Sequence, residues 1–187
     1  MRDKTEQILQ AAVKVFIKKG FQASTQEIAE EAEVAEITLF RKFSTKQNLF
    51  ITVIKNVLEK QFSSKIMKLA EQEDTEEFFV KIMDDRLNML SKNVSLVRML
   101  ISESLKGNLT DEINFPVIIQ AHLKKALDHH FDLNKRMVDT ALCVRQLAGI
   151  FLSHIIIPHD EPYFKLSNEA KEILLNKYMR SLMVLLD

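Results

Sequence analysis

Glycine and proline are scarce in this chain of 187 residues, three of each, and tryptophan is absent. Little material is left for hairpin turns, while the abundance of Leu, Ala, Lys, Glu, Met and Ile favours helix nearly everywhere. The glycines stand at 20, 107 and 149, too scattered for a phosphate-cradling loop or a nucleophile elbow. A single cysteine, Cys143, excludes an internal disulfide and suits a reducing compartment. With no histidine near it in sequence, it reads as a small buried hydrophobe rather than a nucleophile. An excess of charge of one sign is missing too. Lys and Arg number 26, Asp and Glu number 26, and the formal net charge is +0. No global field therefore draws the chain onto nucleic acid or membrane, and any DNA affinity has to come from local charge and paired subunits. No stretch approaches the roughly 20 apolar residues of a membrane span, and Lys14 interrupts the first apolar pattern. The expectation is a soluble cytoplasmic chain. A helical di-iron site needs Glu-x-x-His pairs, and none occurs. His129 and His130 are adjacent, so they point apart on a helix and cannot share one metal. No catalytic residue, metal or cofactor is expected.

What is present is concentrated first in 25–43, TQEIAEEAEVAEITLFRKF. Thr25 is an N-cap type, and Ile28, Ala29, Ala32, Leu39 and Phe43 recur at the three- and four-residue steps of a helical face. A second short helix over about 36–42 presents Glu36, Ile37, Thr38 and Arg41 away from that face. Helix, tight turn and second helix match a helix-turn-helix, whose second helix enters the major groove. Spacing alone also fits an ordinary surface helical hairpin.

The residues go further than the spacing. Residues 8–50 resemble the N-terminal domain of the TetR family of bacterial transcriptional regulators. The resemblance is carried by Ile8, Leu9, Ala11, Ala12, Phe16, Gly20, Phe21, Thr25, Ile28, Ala29, Ala32, Val34 and Ala35. It continues through Thr38, Leu39, Phe40, Arg41, Lys42, Phe43, Lys46, Leu49 and Phe50, and covers about the first quarter of the chain. It implies an all-α protein in two parts. Residues 1–47 would be a three-helix DNA-binding domain, and 48–187 a helical effector-binding and dimerisation domain.

The first helix is expected over 3–19, capped by Asp3 and ended by Gly20 in a left-handed conformation, with Lys18 and Lys19 at the negative end of its dipole. Ser44 or Thr45 caps a long fourth helix, to about 68, with a soft boundary following at 66–74, where Asp74 and Glu77 are spaced as a capping box. Further helices are expected over 75–90, 95–106, 115–131, 134–157 and 167–186, with Pro158 to Pro162 forming the last loop.

The last two helices are apolar over more than one stripe, which asks for burial on more than one side. Similarity to the family implies a homodimer built there, and the expected interface is Leu142, Gly149, Leu152, Ile156, Leu175, Met179, Leu182 and Met183. Simple packing within one subunit is the other reading. The middle helices carry Phe78, Phe79, Met83, Leu87, Met99, Phe115 and Ile119, with His122 as a polar candidate. Such side chains are either plain core or the lining of a pocket for an apolar small-molecule effector, and only the family resemblance implies the second.

For the DNA end the resemblance implies roles residue by residue. Thr25 and Gln26 hold a phosphate at a helix N-terminus, Arg41 and Lys42 contact phosphate (or guanine, for Arg41), Thr38 and Ile37 meet thymine methyls, and Lys46 meets a phosphate. Phe40 stands where the family usually has tyrosine, which leaves that phenolic contact in question. Glu33 and Ile37 stand where glycine is frequent. Either Glu33 takes a left-handed turn at a cost of about 1 kcal/mol or the turn differs. Glu36 repels phosphate and can accept from cytosine N4, so operator preference should be unusual. The expected function is a ligand-responsive repressor on a double-stranded DNA operator, with half-sites about 34 Å or a multiple apart. Two alternatives stay open: a helical ligand-binding or interaction protein with a vestigial motif, and a helical-bundle enzyme.

Overall fold

The computed structural model describes residues 4–56, 60–109 and 114–186, and leaves undescribed the side chains of 60–64 and 115. Asp3, residues 57–59 in the middle of the expected long fourth helix, and the Phe115 side chain lie outside the described residues. Among those described, every regular element is helical. The helices are α1 (Thr5–Lys19), α2 (Thr25–Glu31), α3 (Glu36–Phe43), α4 (Lys46–Ile54) and α5 (Lys60–Leu69). They continue with α6 (Thr75–Lys92), α7 (Val94–Leu105), α8 (Phe115–Leu133), α9 (Thr140–Ile156) and α10 (Asn168–Met183). None is long and apolar enough to cross a membrane.

Side-chain caps explain five of the helix starts. Ser24, Thr45, Asp74, Asp139 and Ser167 each accept backbone N–H groups of the first turn that follows. Two expectations are corrected by them. Thr25 is the first residue of α2 and not its cap, because Ser24 and Glu27 form the reciprocal capping box. The ninth helix begins at Thr140 rather than near 134, because Asp139 accepts from Ala141 and Leu142 at 3.1 and 3.2 Å.

Three helix ends share one device. After α2, α7 and α8 a residue at positive φ (Glu33 50°, Gly107 71°, Lys135 51°) lets the next N–H reach back five residues. Those bonds run from Val34 to Ala29, Asn108 to Glu103 and Arg136 to Phe131, each at 3.0 Å. This is the Schellman arrangement, which satisfies carbonyls that a helix end would orphan.

The chain forms two compact units. One comprises Met1–Lys60 and Arg98–Phe115, the other Gln61–Val97 and Pro116–Asp187. In the first, α1 packs on α2 and α4, and α2 on α3. Phe16 and Phe50 are fully buried there and meet edge to face at 4.8 Å, with Phe21 edge-on to Phe50 at 5.3 Å. Such pairs add about 0.5–1.5 kcal/mol beyond burial.

In the second unit α6 is the central element, packed on α9, α10 and the turn Tyr163–Lys165. Phe78, Phe79, Ile82, Met83 and Leu87 are its fully buried row. Two of the unit's buried polar groups have charged partners. Arg86 forms an ion pair with Asp85 at 2.6 Å, and the Tyr163 hydroxyl donates to Asp84 at 2.8 Å.

Candidate nucleic-acid interface

Helix α3 is held by two anchors and shows much of the rest of itself. Leu39 and Phe43 are buried, whereas Ile37 is 65% and Phe40 40% exposed. Arg41 and Lys42 are exposed in the last turn, where they also suit the dipole. Thr38 is half-buried.

Several of the expected phosphate ligands are engaged inside the protein. The Thr25 hydroxyl donates to Glu36 Oε1 at 2.6 Å, joining the first turns of α2 and α3. The Gln26 amide donates to Glu30 at 3.0 Å, and Lys42 Nζ to the Thr5 hydroxyl at 2.7 Å. Lys46 Nζ donates to the Phe21 carbonyl at 2.8 Å and lies 4.6 Å from the centre of its ring. An ammonium has three donors, so one carbonyl does not exhaust it.

The turn before α3 takes the left-handed course, with Glu33 at φ 50°. Acidic residues on α2 are partly cancelled by lysines of α1. Lys14 pairs with Glu31 at 3.0 Å, and Lys19 pairs with Glu27. The hydrogen bond from Lys19 and that from the Ser24 N–H hold the Glu27 carboxyl down at about 2.

A residue with no signal in the sequence completes this unit. Glu103 is 3% exposed, accepting from Asn108 at 2.7 Å and Lys106 at 3.0 Å as well as from the Phe21 N–H. Burial pushes its pKa up, but the bonds from Asn108 and Lys106 outweigh that and hold the carboxyl below its usual range. It stands against Gly20, where a Cβ would lie 2.5 Å from Oε1. Phe21 is thus gripped at its N–H by Glu103 and at its carbonyl by Lys46. Glu103 is 83 positions from Gly20, which no local pattern spans.

The expected effector residues divide. Phe78, Phe79, Met83 and Leu87 lie buried along α6, and Ile119 on α8 is 9% exposed. Met99 belongs to the other compact unit, and His122 bonds only to its own helix, at Ile118 O, 2.8 Å. The polar group that does meet the α6 row is His130. It is fully buried, stacked on Phe78 at 4.2 Å, with Thr75 Oγ1 3.1 Å from Nε2 and Ala70 O 3.3 Å from Nδ1. Burial lowers its pKa and so disfavours the charged ring. The interface residues divide as well. Leu142, Leu152 and Ile156 are 46%, 41% and 58% exposed on one face of α9. Gly149 lies on that face, and a Cβ there would meet nothing within 4 Å. On α10, Leu175, Met179 and Leu182 are turned into their own unit and Met183 is half-buried, while Ile173 and, just past the helix end, Val184 are exposed large apolar residues.

Comparisons with known proteins agree with this layout. Residues 8–53 match the family described as bacterial regulatory proteins, tetR family. The chain is 50% identical over 50 residues to the uncharacterized HTH-type transcriptional regulator YvkB of Bacillus subtilis, a match covering 26% of each protein. It is 26% identical over 144 residues to the fatty acid metabolism regulator protein of Bacillus subtilis, covering 68% of this chain and 74% of that one. The crystal structure of the transcriptional regulator FadR from Bacillus subtilis in complex with stearoyl-CoA superposes with a TM-score of 0.67 at 18% identity, over 95% of this chain and 96% of that one.

Proposed function

We propose that this chain, a TetR-family DNA-binding transcriptional regulator by its residues 8–53 and its fold, acts as a cytoplasmic homodimeric repressor. It releases a palindromic operator when an apolar effector binds the helical domain. The observation that carries this reading is α3, an eight-residue helix anchored by Leu39 and Phe43, with Ile37, Phe40 and Arg41 exposed and Glu36 half-buried. Its first turn would meet base edges, and Arg41, Lys42 and Lys46 the phosphates or a guanine. The exposed stripe of Leu142, Gly149, Leu152 and Ile156 on α9 supports two-fold pairing, since its spacing presents one continuous face. Dimerisation would set two α3 helices about 34 Å or a multiple apart.

The effector is best sought among long-chain acyl thioesters. The similar proteins include the Bacillus subtilis fatty acid metabolism regulator protein and the structure of FadR from that species with stearoyl-CoA bound. The α6 row of Phe78, Phe79, Met83 and Leu87 is fully buried, and it would have to part to give such a chain the apolar, adaptable lining it requires.

A second reading is favoured by one observation. Thr25 and Lys46 already bond within the protein, and Glu36 adds negative charge to the reading helix, as a ligand-binding protein with a weakened motif would permit. Selection of binding sequences from a random duplex pool at near-physiological salt separates the two. The repressor reading predicts a palindrome, whereas sequence-blind association, falling steeply with salt, is the result expected of the alternative.

A further inference from the structure

Glu36 is the residue on α3 least suited to a polyanion, and the structure shows what holds it. It is the first residue of the helix, where the positive end of the dipole favours a carboxylate. The Thr25 hydroxyl donates to its Oε1 at 2.6 Å, so the side chain is tied to α2 rather than swinging in solvent. A carboxylate has about four acceptor positions on two oxygens, and one bond leaves the second oxygen able to accept. It carries no donor at all.

We infer that Glu36, oriented by Thr25, is a specificity-determining residue that selects cytosine in each operator half-site by accepting a hydrogen bond from its N4 amino group. This rests on the DNA-binding reading above. In the major groove two bases offer an amino donor. Adenine sets its N6 beside N7, an acceptor that repels a carboxylate, whereas cytosine presents N4 with no acceptor of its own on that edge. Guanine and thymine present acceptors, O6 with N7 and O4, which a carboxylate avoids. Glutamate therefore discriminates for cytosine both by attraction and by repulsion of the rivals. Thr25 acts as a positioning residue. Its hydroxyl, engaged by Glu36, holds the carboxylate in one rotamer, so that less freedom is lost when the base arrives.

The test is selection from a random duplex pool with the full-length chain, repeated with Glu36→Gln, Glu36→Ala, Thr25→Val and Thr25→Ser. The wild type should enrich a palindrome with one position per half-site where cytosine exceeds the other bases by about tenfold. Glu36→Gln should move that position to adenine, because an amide pairs with both N6 and N7. Glu36→Ala should leave it degenerate while the other positions persist. Thr25→Val should weaken the cytosine preference relative to the rest of the half-site, and Thr25→Ser should restore it. Unchanged preferences in both Glu36 variants would overturn the assignment of Glu36 alone. A Thr25→Val variant with the full wild-type preference would remove the positioning role. Failure of the wild type to enrich any sequence would overturn the operator reading itself, and the proposal with it.

Discussion

Glu33 shows how a single residue carries both a family expectation and a physical cost. Its left-handed φ of 50° closes the Schellman turn between α2 and α3, a place glycine fills without a Cβ penalty. Glu33→Gly should therefore raise stability, by about 0.5–1 kcal/mol after the extra chain entropy of glycine is counted. A thermal midpoint that falls instead would mean that the carboxylate contributes more than the turn costs. That position was legible because the family resemblance implies glycine there. The Thr25–Glu36 bond was not, since its partners are 11 residues apart on different helices.

Histidine 154 makes a pH prediction at the same scale. Burial, then the neighbouring His159, lower its pKa from 6.5 to about 4, with the Tyr178 hydroxyl 3.0 Å from Nε2. The folded state thus favours the neutral ring. Its contribution is complete above pH 6.5 and is lost as pH falls toward 4, because the unfolded chain takes up the proton first. His154→Phe should flatten the loss of stability across that window in paired urea titrations, and an identical slope in both proteins would contradict it.

The helix ends decide which elements hold the reading head. Apolar periodicity located nearly every helix, since 3.6-residue spacing survives in single sequence. Boundaries depended on caps. Ser24 rather than Thr25, and Asp139 rather than Asn134, were settled by which side chain reaches the first N–H groups, and several residues of each segment are chemically able to do so. The elbow after α1 was half legible. Gly20 reads as a stop, but its φ of 59° and ψ of −148° lie in a region that is essentially glycine-only, and Glu103 sits over it. Gly20→Ala should cost roughly 2–3 kcal/mol, from strain plus the clash with Glu103. In the Gly20→Ala, Glu103→Ala pair the clash vanishes and the strain remains, so the two losses should sum to more than the double variant shows. Strict additivity in a denaturation cycle would show that Glu103 does not constrain the elbow.

For the whole molecule, the proposed dimer depends on a surface that one subunit leaves uncovered. The α9 stripe was expected and is exposed, whereas Leu175, Met179 and Leu182 were expected at an interface and serve their own core. Sequence could not separate these, because an apolar residue looks the same whether it faces its own subunit or another. Leu152→Glu should yield monomers by sedimentation while keeping the helical signal. DNA affinity should fall with it, as each half-site would then be bound alone. The most direct test of the account compares binding, at fixed salt, to the selected palindrome and to the same duplex with one half-site scrambled. A sequence-specific dimer predicts two protomers per palindrome and an affinity for the scrambled duplex lower by about a hundredfold or more, since base contacts are lost at several positions. Equal affinity for the two duplexes would contradict it.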